Sequence, residues 1–91
     1  MAETVAITVA DAERFLASHE RHYKSDADPI AAIGLMEGDK IHGAAILGRT
    51  EDGHAKLAHI YCDGAWHGYS LLYGACWRAY SALGYKTLHL K

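Results

Sequence analysis

The sequence predicts one α/β domain of the mixed α+β kind. It would contain a mostly antiparallel five-stranded sheet, with strands four and five as a parallel pair, and two main helices. Three observations indicate this. Five short segments have the apolar alternation or apolar runs of strands, and two longer segments repeat apolar residues at helical spacing. The last strand follows the fourth through a helix, which favours a parallel, right-handed connection. The 91 residues fit a single domain, 1–91.

Composition excludes several classes of protein. A hydrophobic fraction of 51% with 22% charged residues is typical of a globular fold rather than a disordered chain. A net charge of −2 argues against nucleic acid as a partner, because phosphate neutralisation needs clustered Lys and Arg. The sequence has no signal peptide and no apolar run near the ~20 residues of a membrane span. We therefore expect a cytoplasmic protein, with Cys62 and Cys76 as reduced core residues.

The first half of the chain begins with a strand and a helix. Alternating apolar residues predict the first strand over residues 5–9. Asp11 is a favourable N-cap, so we expect a helix from there to about Tyr23. The polar residues 24–29 end with the only proline and predict a loop.

The middle of the chain predicts a three-stranded meander. Residues 30–36, 41–48 and 56–62 have strand character and are separated by two hairpin turns that contain glycine. The third strand is rich in Ala and Gly, so another element can pack closely on it. Uninterrupted alternation in the fourth strand would place Leu57, His59 and Tyr61 on the same face.

A long helix closed by Gly84 is predicted next, followed by a fifth strand over 87–90. One apolar stripe of this helix is expected to face the sheet: Leu72, Cys76, Ala79 and Leu83. The second stripe is aromatic: Tyr69, Tyr73, Trp77 and Tyr80. The aromatic stripe has three interpretations. It could pack against the first helix and loop, form an exposed patch that binds a partner, or stack on nucleic-acid bases. The net negative charge of the chain makes the last interpretation the least favourable.

Several segments resemble a known family. They are His22-Tyr23, residues 43–49, Cys62-Asp63-Gly64, residues 70–75, Arg78-Ala79 and residues 82–85. With the order of the elements, they resemble the GNAT superfamily of N-acetyltransferases. They are most similar to small GNAT-like proteins of phages and prophages related to the DNA-modification protein Mom. The resemblance implies a reduced GNAT-like fold, a single truncated domain, and acetyl-CoA as cofactor, with its pyrophosphate at the amides that precede the long helix.

The resemblance also implies a set of site residues. The candidate catalytic residues are His22, Tyr23, Asp63, Ser70 and Tyr73. The candidate cofactor-binding residues are Ile60, Tyr61, Cys62, His67, Gly68, Tyr69 and Ser70. In the alternative interpretation Ser70 caps the helix, Tyr73 packs, and Asp63 shapes a turn. No metal site is predicted, since the two histidines spaced His-x-x-His on the first helix have no third ligand placed by spacing.

Two functions are therefore expected from the sequence. The first is an acyl-CoA-dependent N-acyltransferase of GNAT type, associated with a phage or mobile element. The alternative is a catalytically inactive GNAT-like protein that binds or inhibits a host protein, for example in counter-defence. The bulky Trp66 and Tyr69 in the loop region favour this alternative. A homodimer through the aromatic stripe is a further expectation, and whether the chain is an enzyme stays open at this stage.

Overall fold

Two helices pack on a sheet whose strands follow one another in chain order. The computed structural model describes residues 2–19, 29–50, 53–63, 67–84 and 88–90. The elements are β1 (Ala2–Ile7), α1 (Val9–His19), β2 (Pro29–Glu37), β3 (Lys40–Arg49), β4 (Ala55–Cys62), α2 (His67–Ala82) and β5 (Leu88–Leu90). Strands β1 to β4 are antiparallel to their neighbours. The predicted α+β fold with an antiparallel sheet and two helices is confirmed. None of the described helices is both long and apolar enough to cross a membrane.

The short strand β5 lies beside the first half of β4. Its three residues run parallel to β4, in a register that pairs Ala55 with Leu88 and Leu57 with Leu90. In the described part of the chain, the second half of β4 is paired with β3 alone.

The N-cap of helix α1 lies three residues before the predicted one, and the helix begins at Val9. The backbone N–H of Asp11 donates to the Thr8 hydroxyl oxygen at 3.0 Å, and the N–H of Ala12 donates to the Thr8 carbonyl at 3.1 Å. Thr8 is therefore the N-cap, and Val9 opens the helix instead of ending β1. The prediction of Asp11 as N-cap was wrong because Thr8 satisfies the amides of the first turn earlier in the chain.

The helices cover opposite faces of the sheet. Each helix packs on its own core, and the side chains of the strands alternate between the two cores. Helix α1 buries Phe15 and Leu16 in the smaller core. The larger core lies under α2 and includes Leu35, Leu47, Leu57, Leu72 and Cys76. Close packing on the glycine- and alanine-rich β3 is confirmed at Gly43, where an added Cβ would lie 3.1 Å from Leu72 Cδ1.

A β-bulge divides β4 into two halves. Ile46 pairs with His59 while Leu47 pairs with Leu57, so Ala58 is an extra residue opposite β3. The bulge reverses the alternation: Leu57 packs in the core under α2, whereas Tyr61 packs in the core under α1. The prediction that Leu57 and Tyr61 share a face was wrong for this reason.

Helix α2 buries most of the predicted apolar stripe. Leu72 and Cys76 are fully buried, and Ala79 packs partly against the core. Leu83 follows the last helical residue and is 53% exposed, so its assignment to the sheet-facing stripe was wrong. Gly84 has a φ of 91° and closes the helix as predicted, since a left-handed residue at this position satisfies the last carbonyls.

The aromatic stripe of α2 is divided between core and solvent. Tyr80 is buried and Tyr69 packs partly against the core, but Tyr73 and Trp77 are 43% and 58% exposed. The stripe does not pack on the first helix, because α1 lies on the opposite face of the sheet from α2. The rings of Trp77 and Tyr80 meet edge to face at 4.7 Å.

The buried Cys76 thiol predicts a loss of stability at high pH. Burial raises its pKa from 9.0 to about 11. Between these values the unfolded thiol loses its proton while the folded thiol keeps it, so stability present below pH 9 is lost as the pH rises toward 11. We expect a decrease on the order of 2 kcal/mol. Urea unfolding at pH 8 and pH 10.5 should show a steeper decrease for the wild type than for Cys76→Ala; equal decreases would contradict the prediction.

Candidate functional site

The first turn of α2 lies directly on the last residue of β4. Gly68 makes this contact possible, because a Cβ at that position would lie 2.0 Å from Cys62 Sγ and 2.9 Å from Leu35 Cδ2. Only a glycine allows the helix backbone to approach the strand so closely. The contact fixes the amino-terminal end of α2 over the carboxyl-terminal end of β4.

The amino-terminal end of α2 has the electrostatic character of an anion site. Its first four N–H groups have no intrahelical acceptor, and the helix dipole adds partial positive charge there. The first turn contains no acidic residue. Helix α2 begins at His67, so Gly68, Tyr69 and Ser70 belong to this first turn rather than to a preceding loop.

His42 lies at the same end of the sheet, because β3 pairs Gly43 with Cys62 and so places His42 opposite Asp63. His42 also forms a β-bulge relative to β2. Leu35 pairs with Gly43 and Met36 with Ile41, which leaves His42 as the extra residue of β3. The N–H of Asp63 donates to the His42 carbonyl at 2.8 Å. The side chains follow, with His42 Nδ1 3.9 Å from Asp63 Oδ2. An imidazole beside a carboxylate can exchange a proton with a bound group.

These groups border a cavity of about 160 Å³ below the first turn of α2. The described residues that line it are Ala2, Leu35, Glu37, His42, Cys62, Asp63, Gly68 and Leu71. The cavity therefore joins apolar side chains to one imidazole and two carboxylates. No group of three or more His, Cys, Asp and Glu residues in the described part of the chain has an arrangement that could hold a metal ion.

The Cys62 thiol at this cavity is poorly suited to nucleophilic attack. Burial, and secondarily the negative charge of Asp63, raise the pKa of Cys62. A thiol with a raised pKa stays protonated near neutral pH, and the protonated form is a weak nucleophile. A covalent intermediate on Cys62 is therefore disfavoured.

The predicted site residues divide between two faces of the sheet. Cys62, Asp63 and Gly68 all line the cavity at the end of β4. Ile60 packs toward α2, whereas Tyr61 lies on the α1 face beside the Phe15 ring.

The remaining candidates lie elsewhere. Ser70 and Tyr73 are exposed on α2 and do not belong to the described lining of the cavity. His67 is the first residue of α2. His22 and Tyr23 fall outside the described residues.

His42 is a residue of the cavity that the sequence did not predict. It lies far from Asp63 in the chain, and the two residues meet because β3 pairs with β4 in the register that joins Gly43 to Cys62. The one local signal is Gly43, because a glycine within a strand often marks a bulge or a close contact.

Comparison with known proteins supports the fold. No protein-family model matches the sequence, and a search of curated proteins gives no match. Among solved structures, the fold is similar to that of a ribosomal-protein-alanine N-acetyltransferase from Brucella melitensis biovar Abortus 2308. The TM-score is 0.72 at 18% sequence identity, over 99% of this chain and 79% of that one. At this identity the similarity concerns the fold alone, which is GNAT-like.

Proposed function

We propose that the chain is an acyl-CoA-dependent N-acyltransferase of the GNAT type, with acetyl-CoA as the donor. The observation that carries this proposal is the seating of the first turn of α2 on Cys62, through Gly68. The contact brings N–H groups that attract phosphate to the end of a strand whose backbone can bind amides. The similarity of the fold to an N-acetyltransferase supports it.

The donor would lie across the end of β4. Its pyrophosphate would accept hydrogen bonds from the first N–H groups of α2, between His67 and Tyr69, and from the Ser70 hydroxyl. Its pantetheine amides would pair with the backbone from Ile60 to Cys62. In this arrangement β4 and β5 are the parallel pair of a five-stranded sheet, splayed beyond the bulge at Ala58.

The chemical step would be a direct transfer. The neutral acceptor amine attacks the thioester carbonyl, the new C–N bond forms, and the C–S bond breaks. The leaving thiolate takes the phenolic proton of Tyr73, which is later replaced from solvent. The amine nitrogen loses one proton, and His22, Asp63 and a water molecule are the acceptors proposed from the sequence. The protonated Cys62 thiol is consistent with a mechanism that needs no covalent intermediate.

Isothermal titration calorimetry tests the donor assignment. We expect acetyl-CoA to bind, and N-acetyl-S-acetylcysteamine to bind much more weakly because it lacks the pyrophosphate. Ser70→Ala should weaken binding, and Tyr73→Phe should slow turnover. Circular dichroism would verify that each sample is folded. The absence of heat with millimolar acetyl-CoA and folded protein would exclude the proposed function.

The biological setting is a separate proposal. The segments around Asp63 and residues 70–85 carry the resemblance to the Mom-related proteins of phages and prophages, and we propose this setting on those residues alone. Chromosomal location tests it: a gene that recurs between bacterial housekeeping genes, with no phage genes nearby, would contradict the assignment.

The second candidate function is a protein-binding role without catalysis. Tyr73 and Trp77 are exposed on α2, and exposed aromatic side chains often dominate protein interfaces. The partner would be a second copy of the chain, through the exposed Tyr73 and Trp77 of the aromatic stripe, or a host protein. Analytical ultracentrifugation of the wild type and Trp77→Ala tests the homodimer. A monomeric wild type, or a Trp77→Ala variant with unchanged association, would count against it.

A further inference from the structure

We propose that His19, at the end of α1, is the general base that accepts the proton of the acceptor amine. This inference rests on the proposed acyl-transfer function and adds to it the residue and the face of the sheet on which the acceptor binds. Three observations lead to it: the hydrogen bonds of the His19 ring, the position of Tyr61, and the groove beside α1.

The hydrogen bonds of His19 determine which ring nitrogen is free. Nδ1 lies 2.9 Å from the Phe15 carbonyl oxygen and 2.9 Å from Ser18 Oγ. The Ser18 hydroxyl itself donates to the Phe15 carbonyl at 2.8 Å. A carbonyl oxygen only accepts, so the arrangement is satisfied when Nδ1 carries the hydrogen and donates. The lone pair of the neutral ring is then on Nε2, which is the nitrogen that can take a proton.

The ring is also held in position by its neighbours. It stacks on Phe15 with centroids 4.2 Å apart and planes inclined by 30°. Tyr61 approaches from the sheet, with its ring centroid 5.6 Å from that of His19. The bulge at Ala58 places the Tyr61 side chain on the α1 face, beside the His19 ring.

A groove on the α1 face connects to the His19 ring. On the opposite face, the first turn of α2 already covers Cys62. On the α1 face a groove of about 370 Å³ runs beside the helix, and its described lining is Asp11, Arg14, Phe15, Ser18, Asp39, Lys40 and Ile41. His19 does not itself belong to this lining, but Phe15 stacks on the His19 ring and Ser18 Oγ lies 2.9 Å from its Nδ1. An acceptor in this groove would therefore reach His19 past these two side chains.

The proposed proton transfer completes the step described above. As the amine nitrogen bonds to the acetyl carbon and the C–S bond breaks, its surplus proton moves to His19 Nε2. The imidazolium then returns the proton to water. The hydrogen bond from Nδ1 to the Phe15 carbonyl persists throughout and stabilises the imidazolium.

The test compares His19→Asn and the control His54→Asn with the wild type. The Asn amide retains a donor near Nδ1 but has no atom that replaces Nε2. His54→Asn makes the same exchange at an exposed position just before β4. Calorimetry measures acetyl-CoA binding. Release of CoA thiol is measured with acetyl-CoA and a hexapeptide that has a free amino-terminal alanine. We expect His19→Asn to bind acetyl-CoA within about twofold of the wild type, with kcat lowered at least a hundredfold. His54→Asn should retain kcat within about fivefold.

A second readout is independent of turnover. Long-range ¹H–¹⁵N spectra of the free protein above pH 8 should show the His19 ring with hydrogen on Nδ1. Hydrogen on Nε2, an unchanged kcat in His19→Asn, or a wild type that binds acetyl-CoA without cleaving it in the presence of the peptide would each overturn the role of His19. A wild type that fails to bind acetyl-CoA would instead contradict the proposed function, so the two failures are distinguishable.

Discussion

Replacing Gly68 by alanine should lower the free energy of unfolding by roughly 2–3 kcal/mol or more. The added Cβ would lie 2.0 Å from Cys62 Sγ and 2.9 Å from Leu35 Cδ2. Gly68 and Cys62 are both buried, so the clash is relieved only if the Cys62 and Leu35 side chains leave their packed positions or the first turn of α2 moves away from β4. Urea unfolding followed by circular dichroism at neutral pH measures the loss.

Gly74 provides the matched control on the same helix. A Cβ there meets only Arg78 Nη1, at 3.4 Å, which is an ordinary contact with the end of a flexible side chain. Gly74→Ala should therefore stabilise the protein by about 0.5–1 kcal/mol through helix propensity alone. Because both substitutions add the same methyl group to α2, the difference between them isolates the contact with Cys62.

The double variant Cys62→Ala/Gly68→Ala identifies the cause. Removing Sγ eliminates the closest approach, although a separation of 3.3 Å between the two Cβ atoms and the contact with Leu35 remain. We expect the second substitution to cost less in the Cys62→Ala background than in the wild type, which is a favourable coupling between neighbours. A Gly68→Ala variant as stable as Gly74→Ala would show that the first turn does not lie on β4 as described.

Elements with strong periodicity could be predicted from the sequence. Leu72 and Cys76 recur at the helical spacing and are fully buried, and Gly84 ends α2 because a positive φ favours glycine. The antiparallel meander could also be predicted, since glycine-containing turns separate its strands. In each case the signal is local, so the residues themselves carry it.

The bulges at Ala58 and His42 could not be predicted, because they depend on pairing between strands. Alternation in β4 looks regular in sequence, yet the extra residue at Ala58 exchanges the faces after it. The same limit applied to the site. Asp63 and Gly68 were proposed from the segment around them, whereas His42 meets Asp63 only through the register of β3 with β4, which no local signal specifies.

We expect Ser70→Glu to weaken acetyl-CoA binding at least tenfold while leaving the fold intact. Ser70 is exposed in the first turn of α2, so a glutamate fits without disturbing the core. Its charge would stand beside the proposed pyrophosphate site, where repulsion at about 5 Å amounts to about 1–3 kcal/mol. An acidic side chain in the first turn interacts favourably with the positive end of the helix dipole. The same substitution should therefore raise the free energy of unfolding by about 0.3–1 kcal/mol.

Ser70→Glu should weaken acetyl-CoA binding while it stabilises the fold. A loss of affinity in this variant would therefore indicate repulsion of the donor phosphates and not unfolding. Ser70→Gln has the size of the glutamate without its charge and should lose no more affinity for acetyl-CoA than Ser70→Ala. Ser81→Glu adds the same charge to an exposed position in the last turn of α2, far from Gly68, and should leave affinity unchanged. Raising the salt concentration should narrow the difference between Ser70→Glu and Ser70→Gln, since salt screens exposed charges. If the two variants bind acetyl-CoA equally well, the donor phosphates do not lie at the amino-terminal end of α2.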